Sequence, residues 1–343
     1  MALQKVTDDN IGSGTRVNLP AQDDLLLARN TVIQSIDGTA VFGEGNQQTA
    51  EIRGIVSGAE YGIFLGTSTF TDFGNRVVVR ETGHVFGLHT AVRMMGFGAE
   101  VVNEGDIGGG KFGVMLASAS TTTRSTIHNT GSIHADECAI LLLEPSQEAV
   151  KIVNKGRIEG GNYAFYGEMS PSRDVIVNDG KMIGQISAGW GNDVYDGRKG
   201  TVVGKIVGGL GNDKLLGGRG SEVFDGGEGR DRMNGGRGAD TFDYNTLSDS
   251  TVLQSGRDRI SGFSHAQHDV FDLRDIDANA NLLLNQAFHF IGKDDFNGVA
   301  GELRYHFAGR ATLIEGDVNG DGNADFAIKL ASRLDLVEAD FLL

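Results

Sequence analysis

The feature that most constrains this chain is a run of four nine-residue repeats between residues 208 and 243. The repeats read GGLGNDKLL, GGRGSEVFD, GGEGRDRMN and GGRGADTFD, so glycine holds places one, two and four, and an acid holds place six. A fifth copy, AGWGNDVYD, covers residues 188–196. Glycine permits turn conformations that are closed to residues with a Cβ. The spacing therefore predicts tight turns that alternate with short strands.

Each repeat also carries a large apolar residue at place eight, which we expect to point inward from a strand. These residues are Tyr195, Leu215, Phe224, Met233 and Phe242. One repeat makes a turn and a strand, so two repeats make a full coil and every second turn stacks on the same side. A flexible linker rich in Gly and Asp is the alternative, but linker composition has no such register.

The repeats resemble the calcium-binding nonapeptide of RTX proteins. The resemblance implies a β-roll that binds several Ca²⁺ ions between turns eighteen residues apart, using backbone carbonyls and the place-six acids. Calcium takes six to eight oxygen ligands. The implied ligand sets are Gly209, Gly211 and Asp213 with Gly226, Glu228 and Asp231; Gly218, Gly220 and Glu222 with Gly235, Arg237 and Asp240; and, at an offset of twenty, Gly189, Gly191 and Asp193 with Gly208, Leu210 and Asp213. Glu222 departs from the usual Asp.

A second, longer repeat precedes the first, and its landmark is Asn-x-Gly at Asn103, Asn129, Asn154 and Asn178. Apolar residues keep the same phase, two before each Asn (Val101, Ile127, Ile152, Ile176) and four after it (Ile107, Ile133, Ile158, Met182). Periods of this length indicate repeat architectures, and short alternating strands favour β structure. We predict a parallel β-helix similar to those of bacterial extracellular proteins. The asparagines either form a ladder of amides or tolerate a left-handed turn.

The last hundred residues resemble the C-terminal domain of serralysin-type secreted metalloproteases, through SGRDRISGFSHAQHDVFDLRDID, AGELRYHF and EGDVNGDGNADFAIKL. The resemblance implies a domain that packs on the roll and carries an uncleaved signal for a type I ABC exporter, ending in Asp340-Phe341-Leu342-Leu343. Within it, oxygen-bearing residues alternate around two glycines, which predicts either a calcium loop or an acidic turn with local hydrogen bonds. They are Asp317, Asn319, Asp321, Asn323 and Asp325.

The net charge of −16 argues against nucleic acid and anionic membranes as partners, because both attract basic patches. It fits a cation binder. The longest early apolar run, residues 25–28, is too short to span a bilayer, and residues 1–20 do not have the pattern of a signal peptide. We therefore expect no transmembrane segment and export by a route that does not read the N-terminus.

The histidines of the chain do not form the motif of a zinc protease. A zinc protease needs His-Glu-x-x-His, which none of the eight histidines forms, so proteolysis is rejected. Cys138, in the apolar run CAILLL, is expected in the core. A polysaccharide-active β-helix enzyme (lyase, hydrolase or uronate epimerase) stays open as an alternative. Its candidate residues are His84, His89, Arg93, Asp136, Tyr163 and Tyr166, for which an ordinary surface role is the simpler interpretation.

The sequence thus predicts an all-β protein with four segments: an N-terminal arm or cap (1–23), a parallel β-helix (24–180), a calcium-binding β-roll (181–243) and a serralysin-like export domain (244–343). The helix is expected to continue into the roll without a linker. The expected function is that of a secreted protein, extracellular or cell-surface associated, that folds on extracellular calcium and has a structural, adhesive or polysaccharide-binding role.

Overall fold

The computed structural model describes residues 2–67, 69, 71–143, 146–167 and 169–343. Their regular structure is almost entirely β, with two short 3₁₀ helices, His265–Gln267 and Glu338–Asp340. The predicted fold class, all-β with parallel solenoid coils, is confirmed. The chain forms two compact units, Met1–Trp190 with Gly200–Val203, and Gly191–Lys199 with Gly204–Leu343. The four predicted segments stay a prediction.

The first unit is a parallel β-helix in which each coil has three strand segments, one on each of three faces. Its strands are β1 (Leu3–Val6), β2 (Asn10–Gly12), β3 (Val17–Leu19), β4 (Asp24–Leu27), β5 (Val32–Ser35), β6 (Val41–Gly43), β7 (Thr49–Ile52), β8 (Ile55–Gly58), β9 (Tyr61–Leu65), β10 (Arg76–Val79), β11 (His84–Gly87), β12 (Thr90–Met95), β13 (Glu100–Asn103), β14 (Asp106–Gly109), β15 (Phe112–Ala117), β16 (Arg124–Asn129), β17 (Ser132–Ala135), β18 (Cys138–Leu142), β19 (Ala149–Asn154), β20 (Arg157–Tyr166), β21 (Val175–Asn178), β22 (Lys181–Trp190) and, after β23 (Val194–Asp196) of the second unit, β24 (Thr201–Val203).

The core of the first unit consists of apolar columns that run from coil to coil. Val101, Ile127, Ile152 and Ile176 are in register on one face, and Ile107, Ile133, Ile158 and Met182 on the next. All eight are at most 2% exposed, as the Asn-x-Gly phase predicts. Burying each such side chain stabilises the fold by about 1.5–3 kcal/mol. The repeated columns therefore set the pairing register of the coils.

The asparagines of the Asn-x-Gly turns form a buried ladder. Asn103 Nδ2 donates to Asn129 Oδ1, Asn129 Nδ2 to Asn154 Oδ1, and Asn154 Nδ2 to Asn178 Oδ1, each at 2.8 Å. All four side chains are fully buried, and none of the four residues has a positive φ. Hydrogen bonding between coils, rather than tolerance of a left-handed turn, accounts for these asparagines.

Residues 3–19, expected as an arm or cap, form the first coil. The strands β1, β2 and β3 pair in parallel with β4, β5 and β6. The residues of β1 are largely exposed, because a terminal coil has a neighbour on one side only. Its sequence, LQKV, consequently lacks the buried apolar alternation that marks the inner coils.

The second unit is a parallel roll of two faces followed by an antiparallel sheet. Its remaining strands are β25 (Lys205–Gly211), β26 (Lys214–Leu216), β27 (Val223–Gly229), β28 (Arg232–Asn234), β29 (Thr241–Asp243), β30 (Arg259–Ser261), β31 (Val270–Asp272), β32 (His289–Gly292), β33 (Glu302–Ala308), β34 (Ala311–Asp317), β35 (Phe326–Leu330) and β36 (Phe341–Leu342).

Parallel pairing in the second unit continues beyond residue 243. On one face β23, β26, β28, β30 and β35 follow one another, and on the other β25, β27, β29, β31 and β36. The place-eight residues point inward as predicted: Phe224 and Phe242 stack at 5.8 Å between ring centroids, and Phe271 extends the stack at 5.7 Å. The strands β33, β34 and β35 are antiparallel.

Candidate metal sites

The glycine turns of the second unit bring backbone carbonyls close together. Gly209, Gly211, Gly227 and Gly229 have positive φ values of 106°, 131°, 80° and 143°. A Cβ on Gly227 would lie 2.1 Å from the Gly209 carbonyl oxygen, and a Cβ on Gly229 only 1.6 Å from that of Gly211. Only glycine fits where turns stack this closely. The carbonyls of each turn are therefore held against the turn eighteen residues later.

The place-six acids of one face form an acid ladder, which consists of Asp193, Asp213, Asp231 and Asp258. The amide of each acid donates to the Oδ1 of the next at 2.7 Å, from Asp193 to Asp213, Asp213 to Asp231 and Asp231 to Asp258. The Oδ2 atoms of Asp213 and Asp231 are buried and find no hydrogen-bond partner in the described part of the chain, whereas the Asp258 carboxylate faces the buried Tyr244 hydroxyl. In Asp213 and Asp231 one carboxylate oxygen is thus used structurally, while the other is left for a ligand.

These second oxygens point into the space above the glycine turns. The position of a Cβ on Gly208 lies 2.4 Å from Asp213 Oδ2 and 2.6 Å from the carbonyl oxygen of Gly226. A Cβ on Gly226 would lie 2.3 Å from Asp231 Oδ2. The glycines leave free the space into which carboxylate and carbonyl oxygens converge. Such a mixture of hard oxygen donors is the ligand set that Ca²⁺ prefers.

Burial makes the ionised form of the acid ladder unfavourable. It raises the pKa of Asp213 to about 7 and that of Asp258 to about 8. The pKa of Asp231 rises to about 9, first through burial and then through repulsion by Asp258. A buried carboxylate without a partner is costly, and a cation that compensates its charge reverses that preference. The residues present therefore fit a divalent cation.

The opposite face of the roll has a shorter series. The Glu222 amide donates to Asp240 Oδ1, and the Asp240 amide to Asp269 Oδ1, both at 2.9 Å. Burial raises the pKa of Asp240 to about 7. Glu222 bends back, so that its Oε2 accepts from the Gly218 amide at 3.3 Å, and Gly220 lacks the positive φ of its counterparts. The longer side chain thus changes the turn.

At the predicted second and third sites, some of the expected ligands lie close together. At the second site, a Cβ on Gly235 would lie 2.2 Å from Asp240 Oδ2. At the third, a Cβ on Gly211 would lie 1.4 Å from the Gly191 carbonyl oxygen, and Gly189 belongs to the first unit. Metal binding by any of the predicted sets stays a prediction.

The C-terminal acidic loop is closed by its own backbone. Asp317 Oδ1 accepts from the amides of Asn319 and Gly320, and its Oδ2 from the Gly322 amide. Asp325 Oδ2 accepts from Val318 N, while Asn319 Oδ1 and Asp321 Oδ1 accept from Asp321 N and Asn323 N, respectively. This is the geometry of an acidic turn with local hydrogen bonds, and a metal would have to displace those bonds. Calcium binding here stays a prediction.

Side chains alone do not define a site. Within the described ranges no group of three or more His, Cys, Asp and Glu side chains is arranged to hold a metal ion. Carbonyl oxygens therefore have to supply much of the coordination, as the glycine turns predict.

Two acids of these series, Asp258 and Asp269, were missed in the sequence analysis. They lie 27 and 29 residues after Asp231 and Asp240 instead of eighteen, because the chain between β29 and β30 is nine residues longer than in the repeats and the chain between β30 and β31 is two residues longer. The signal that marks them is an Asp two residues before a buried apolar residue, as in Asp258–Ile260 and Asp269–Phe271.

The candidate catalytic residues of the first unit do not all share one environment, although His89 and Arg93 both contact the ring of Tyr61. Arg93 Nη1 donates to the Tyr61 hydroxyl at 2.6 Å, and His89 Nδ1 lies 2.9 Å from Thr90 Oγ1. His84 Nδ1 lies 3.6 Å from Asp106 Oδ2, and the rings of Tyr163 and Tyr166 are 4.6 Å apart. Asp136 lines an open groove of about 640 Å³ together with His134 and Glu159. The enzymatic alternative stays a prediction.

Cys138 lies in the core, as expected. Its Sγ donates to the Ile140 carbonyl oxygen at 3.1 Å, and burial raises the pKa of the thiol to about 12. The nucleophilic thiolate is therefore scarce at neutral pH.

Comparison of the sequence with known families places the chain in one of them. The described residues include no helix long and apolar enough to cross a membrane, and no curated protein sequence matches the chain. Solution structures of the AlgE6R3 and AlgE6R2 subunits from the Azotobacter vinelandii mannuronan C5-epimerase match with 22% identity each. Each match covers 50% of this chain. It covers 78% of the AlgE6R3 subunit, with a TM-score of 0.27, and 91% of the AlgE6R2 subunit, with a TM-score of 0.28. The sequence profile described as peptidase M10 serralysin C terminal matches residues 105–343, so the chain belongs to the serralysin C-terminal family.

Proposed function

We propose that this chain is a secreted calcium-binding repeat protein whose second unit folds when calcium fills the glycine turns. The observation that carries the proposal is the pair of buried Oδ2 atoms of Asp213 and Asp231, which lack hydrogen-bond partners in the described chain. Bound Ca²⁺ would supply the positive charge that these carboxylates lack. Because the site forms only in the folded roll, the free energy of binding becomes free energy of folding.

The proposed route out of the cell is a type I ABC exporter that reads the C-terminus. Phe341 and Leu342 pair with Phe271 and Asp272 in the folded unit, and Asp340 is buried. Asp340 Oδ1 lies 2.6 Å from the Nδ1 atom of His265. A signal packed in this way is accessible only before the unit folds. This supports export of the unfolded chain at low cytoplasmic calcium, followed by folding outside.

Outside the cell we propose a structural, adhesive or polysaccharide-binding role, either free or at the cell surface. The first unit supports this through its rigid scaffold, in which buried columns and the asparagine ladder hold an extended outer surface in place. It provides a stable platform whether or not calcium is bound to the second unit.

Far-UV circular dichroism during a calcium titration tests the folding proposal. The strand signal is expected to rise at about 10⁻⁴–10⁻³ M free calcium, the range of extracellular modules. Hydrogen exchange with mass spectrometry then localises the gain in protection to residues 204–272, while residues 24–180 are protected throughout. Magnesium at equal concentration is the control. A spectrum and exchange pattern that are identical in chelator and in calcium at neutral pH would show that the roll does not depend on calcium.

A further inference from the structure

A column of basic residues crosses the outer face of the roll in the second unit. Lys214, Arg232, Arg259 and Lys329 are in register on the neighbouring strands β26, β28, β30 and β35. The first three side chains are exposed and Lys329 is partly exposed. The apolar residues that follow them in sequence are buried in the core of the unit. The column therefore faces solvent as a straight row of four positive charges.

Further basic residues widen this row into a surface. Arg230 and Arg257 join Arg259 and Lys329 around a recess of about 110 Å³. An adjoining groove of about 320 Å³ is lined by Lys214, Arg232 and Arg259, with Leu216, Met233 and Ser261 beside them. We name the six basic residues the cationic face; they are Lys214, Arg230, Arg232, Arg257, Arg259 and Lys329.

The charges of the cationic face are not neutralised by the protein. None of its six members forms an ion pair with a described residue, although the chain carries a net charge of −16. The acids that precede three of them belong to the acid ladder and are buried on the other side of the strands. Asp196 lies diagonally from Lys214, but its ion pair is with Arg198 at 2.7 Å. The Arg257 guanidinium donates only to the Val252 carbonyl.

The opposite face of the roll shows that the repeat does not require this charge. There the equivalent places are held by Lys205, Val223, Thr241 and Val270, again in register, and the one cation among them, Lys205, is paired with Asp225 and Asp243. Like charges placed directly opposite on neighbouring strands are destabilising. The two faces have the same backbone plan, so the basic row is a property of one face alone and reduces stability unless an anion binds there.

The spacing of the four charges in the row indicates which kind of anion fits it. Neighbouring strands lie about 4.8 Å apart, so four charges in register extend over roughly 14 Å with a regular spacing. A compact anion such as phosphate would meet only part of the row. A linear polymer with one negative charge about every 5 Å would meet all of it. Duplex DNA is a poorer match, since each of its strands places one phosphate about every 3.4 Å of helix axis and winds around that axis instead of running straight.

We propose that the cationic face binds a linear acidic polysaccharide that carries one carboxylate on each sugar, laid across the strands with consecutive carboxylates on consecutive basic residues. The strongly negative remainder of the molecule repels polyanions that approach elsewhere, which restricts binding to this face. The proposal deepens the extracellular role above and rests on a folded second unit.

Calorimetric titration of the calcium-loaded full chain with a hexamer of galacturonic acid tests the proposal. A hexamer spans the row and is too short to gel with calcium. With about four carboxylates neutralised and roughly 0.7 counterions released for each, affinity should fall roughly 30- to 50-fold between 50 and 200 mM salt. The double variant Arg232→Gln/Arg259→Gln should bind at least about tenfold more weakly, with a salt slope smaller by about one to two.

The matched control is Arg219→Gln/Arg310→Gln, which removes the same charge from two exposed arginines outside the cationic face. It should bind the hexamer as wild type does. Calcium-dependent folding, followed by circular dichroism, should be normal in both variants, which separates a failure of this proposal from a failure of calcium-dependent folding. Equal affinity of the Arg232/Arg259 variant and wild type, or equal loss in the control, would overturn the assignment. Equal binding of maltohexaose would exclude charge recognition, and tighter binding of a thymidine dodecamer would assign the face to nucleic acid.

Discussion

Replacing Asp213 by Asn should have opposite effects on stability with and without calcium. In the calcium-free fold, burial raises the pKa of Asp213 from 3.8 to about 7. The folded chain then holds this proton more tightly than the unfolded chain does. Its contribution to stability is complete below about pH 4 and is lost as the pH rises to about 7. At 1.36 kcal/mol per unit, a rise of about 3 units amounts to about 4 kcal/mol at neutral pH.

Asn cannot ionise, so the variant avoids this loss. Its Oδ1 can still accept from the Asp193 amide, which lies 2.7 Å from Asp213 Oδ1 in the wild type. Its Nδ2 replaces the oxygen that has no partner, on the side of the Gly226 carbonyl. In chelator at neutral pH, where the wild-type roll is expected to be unfolded, the variant should favour the folded roll by up to about 4 kcal/mol more than wild type, whereas at pH 4 the two should hardly differ.

In millimolar calcium the same substitution should destabilise the second unit. It removes a carboxylate ligand, and losing one site held at 100 times its Kd lowers stability by about 2.7 kcal/mol. Urea unfolding in calcium and the strand signal of circular dichroism in chelator, each at two pH values, measure all four cases.

Asp196→Asn is the control, because an exposed Arg198 partner lowers the pKa of Asp196. That variant should lose at most about 1 kcal/mol at neutral pH, with or without calcium. If Asp213→Asn destabilised the calcium-free protein at neutral pH as much as the calcium-loaded one, desolvation of the acid ladder would not be what opposes folding.

Two further substitutions test the ion pairs and amides inside the units. Lys205 Nζ lies 2.6 Å from Asp225 Oδ2 and 2.8 Å from Asp243 Oδ2. Lys205→Met should therefore lower the free energy of unfolding in millimolar calcium by about 3 kcal/mol at neutral pH, with a smaller loss at pH 4. An equal loss at both pH values would exclude a charge effect. Asn129→Leu breaks two ladder bonds and leaves buried amide groups on both neighbouring coils, so urea unfolding of the first unit should show a loss of about 3 kcal/mol, whereas replacing the exposed Lys155 by Leu should change little.

Much of the fold follows from the sequence because the same local pattern recurs. Ile127, Ile133 and Ile152 could be placed in the core without a structure, since their distance from the nearest Asn-x-Gly turn repeats in every coil. The place-eight residues of the roll were assigned in the same way. Strict repetition makes each coil a test of the others, and a chance pattern would lose its phase within one or two coils.

What the sequence did not predict lies where repetition ends. The strand β1 has few buried residues because it ends a stack, so its pattern is weak. Asp258 and Asp269 were not predicted, because longer loops disrupt the eighteen-residue spacing while the strands themselves continue. The cationic face was missed for another reason: its residues are 18, 27 and 70 positions apart in sequence, and only strand pairing shows that they are adjacent.

The asparagine ladder gives the first unit a direction, because its side-chain hydrogen bonds all point the same way along the solenoid. Each of the three ladder bonds is donated from one coil to the next toward the C-terminus, and all three have the same length. Removing a whole coil, residues 129–153, would let Asn103 donate to Asn154 just as it now donates to Asn129. The buried Oδ1 of Asn103 has no donor among the described residues, and Val79 stands opposite it on the preceding coil. The ladder is therefore open at that end, and such a solenoid can change its length during evolution by whole coils without redesigning the coils that are kept.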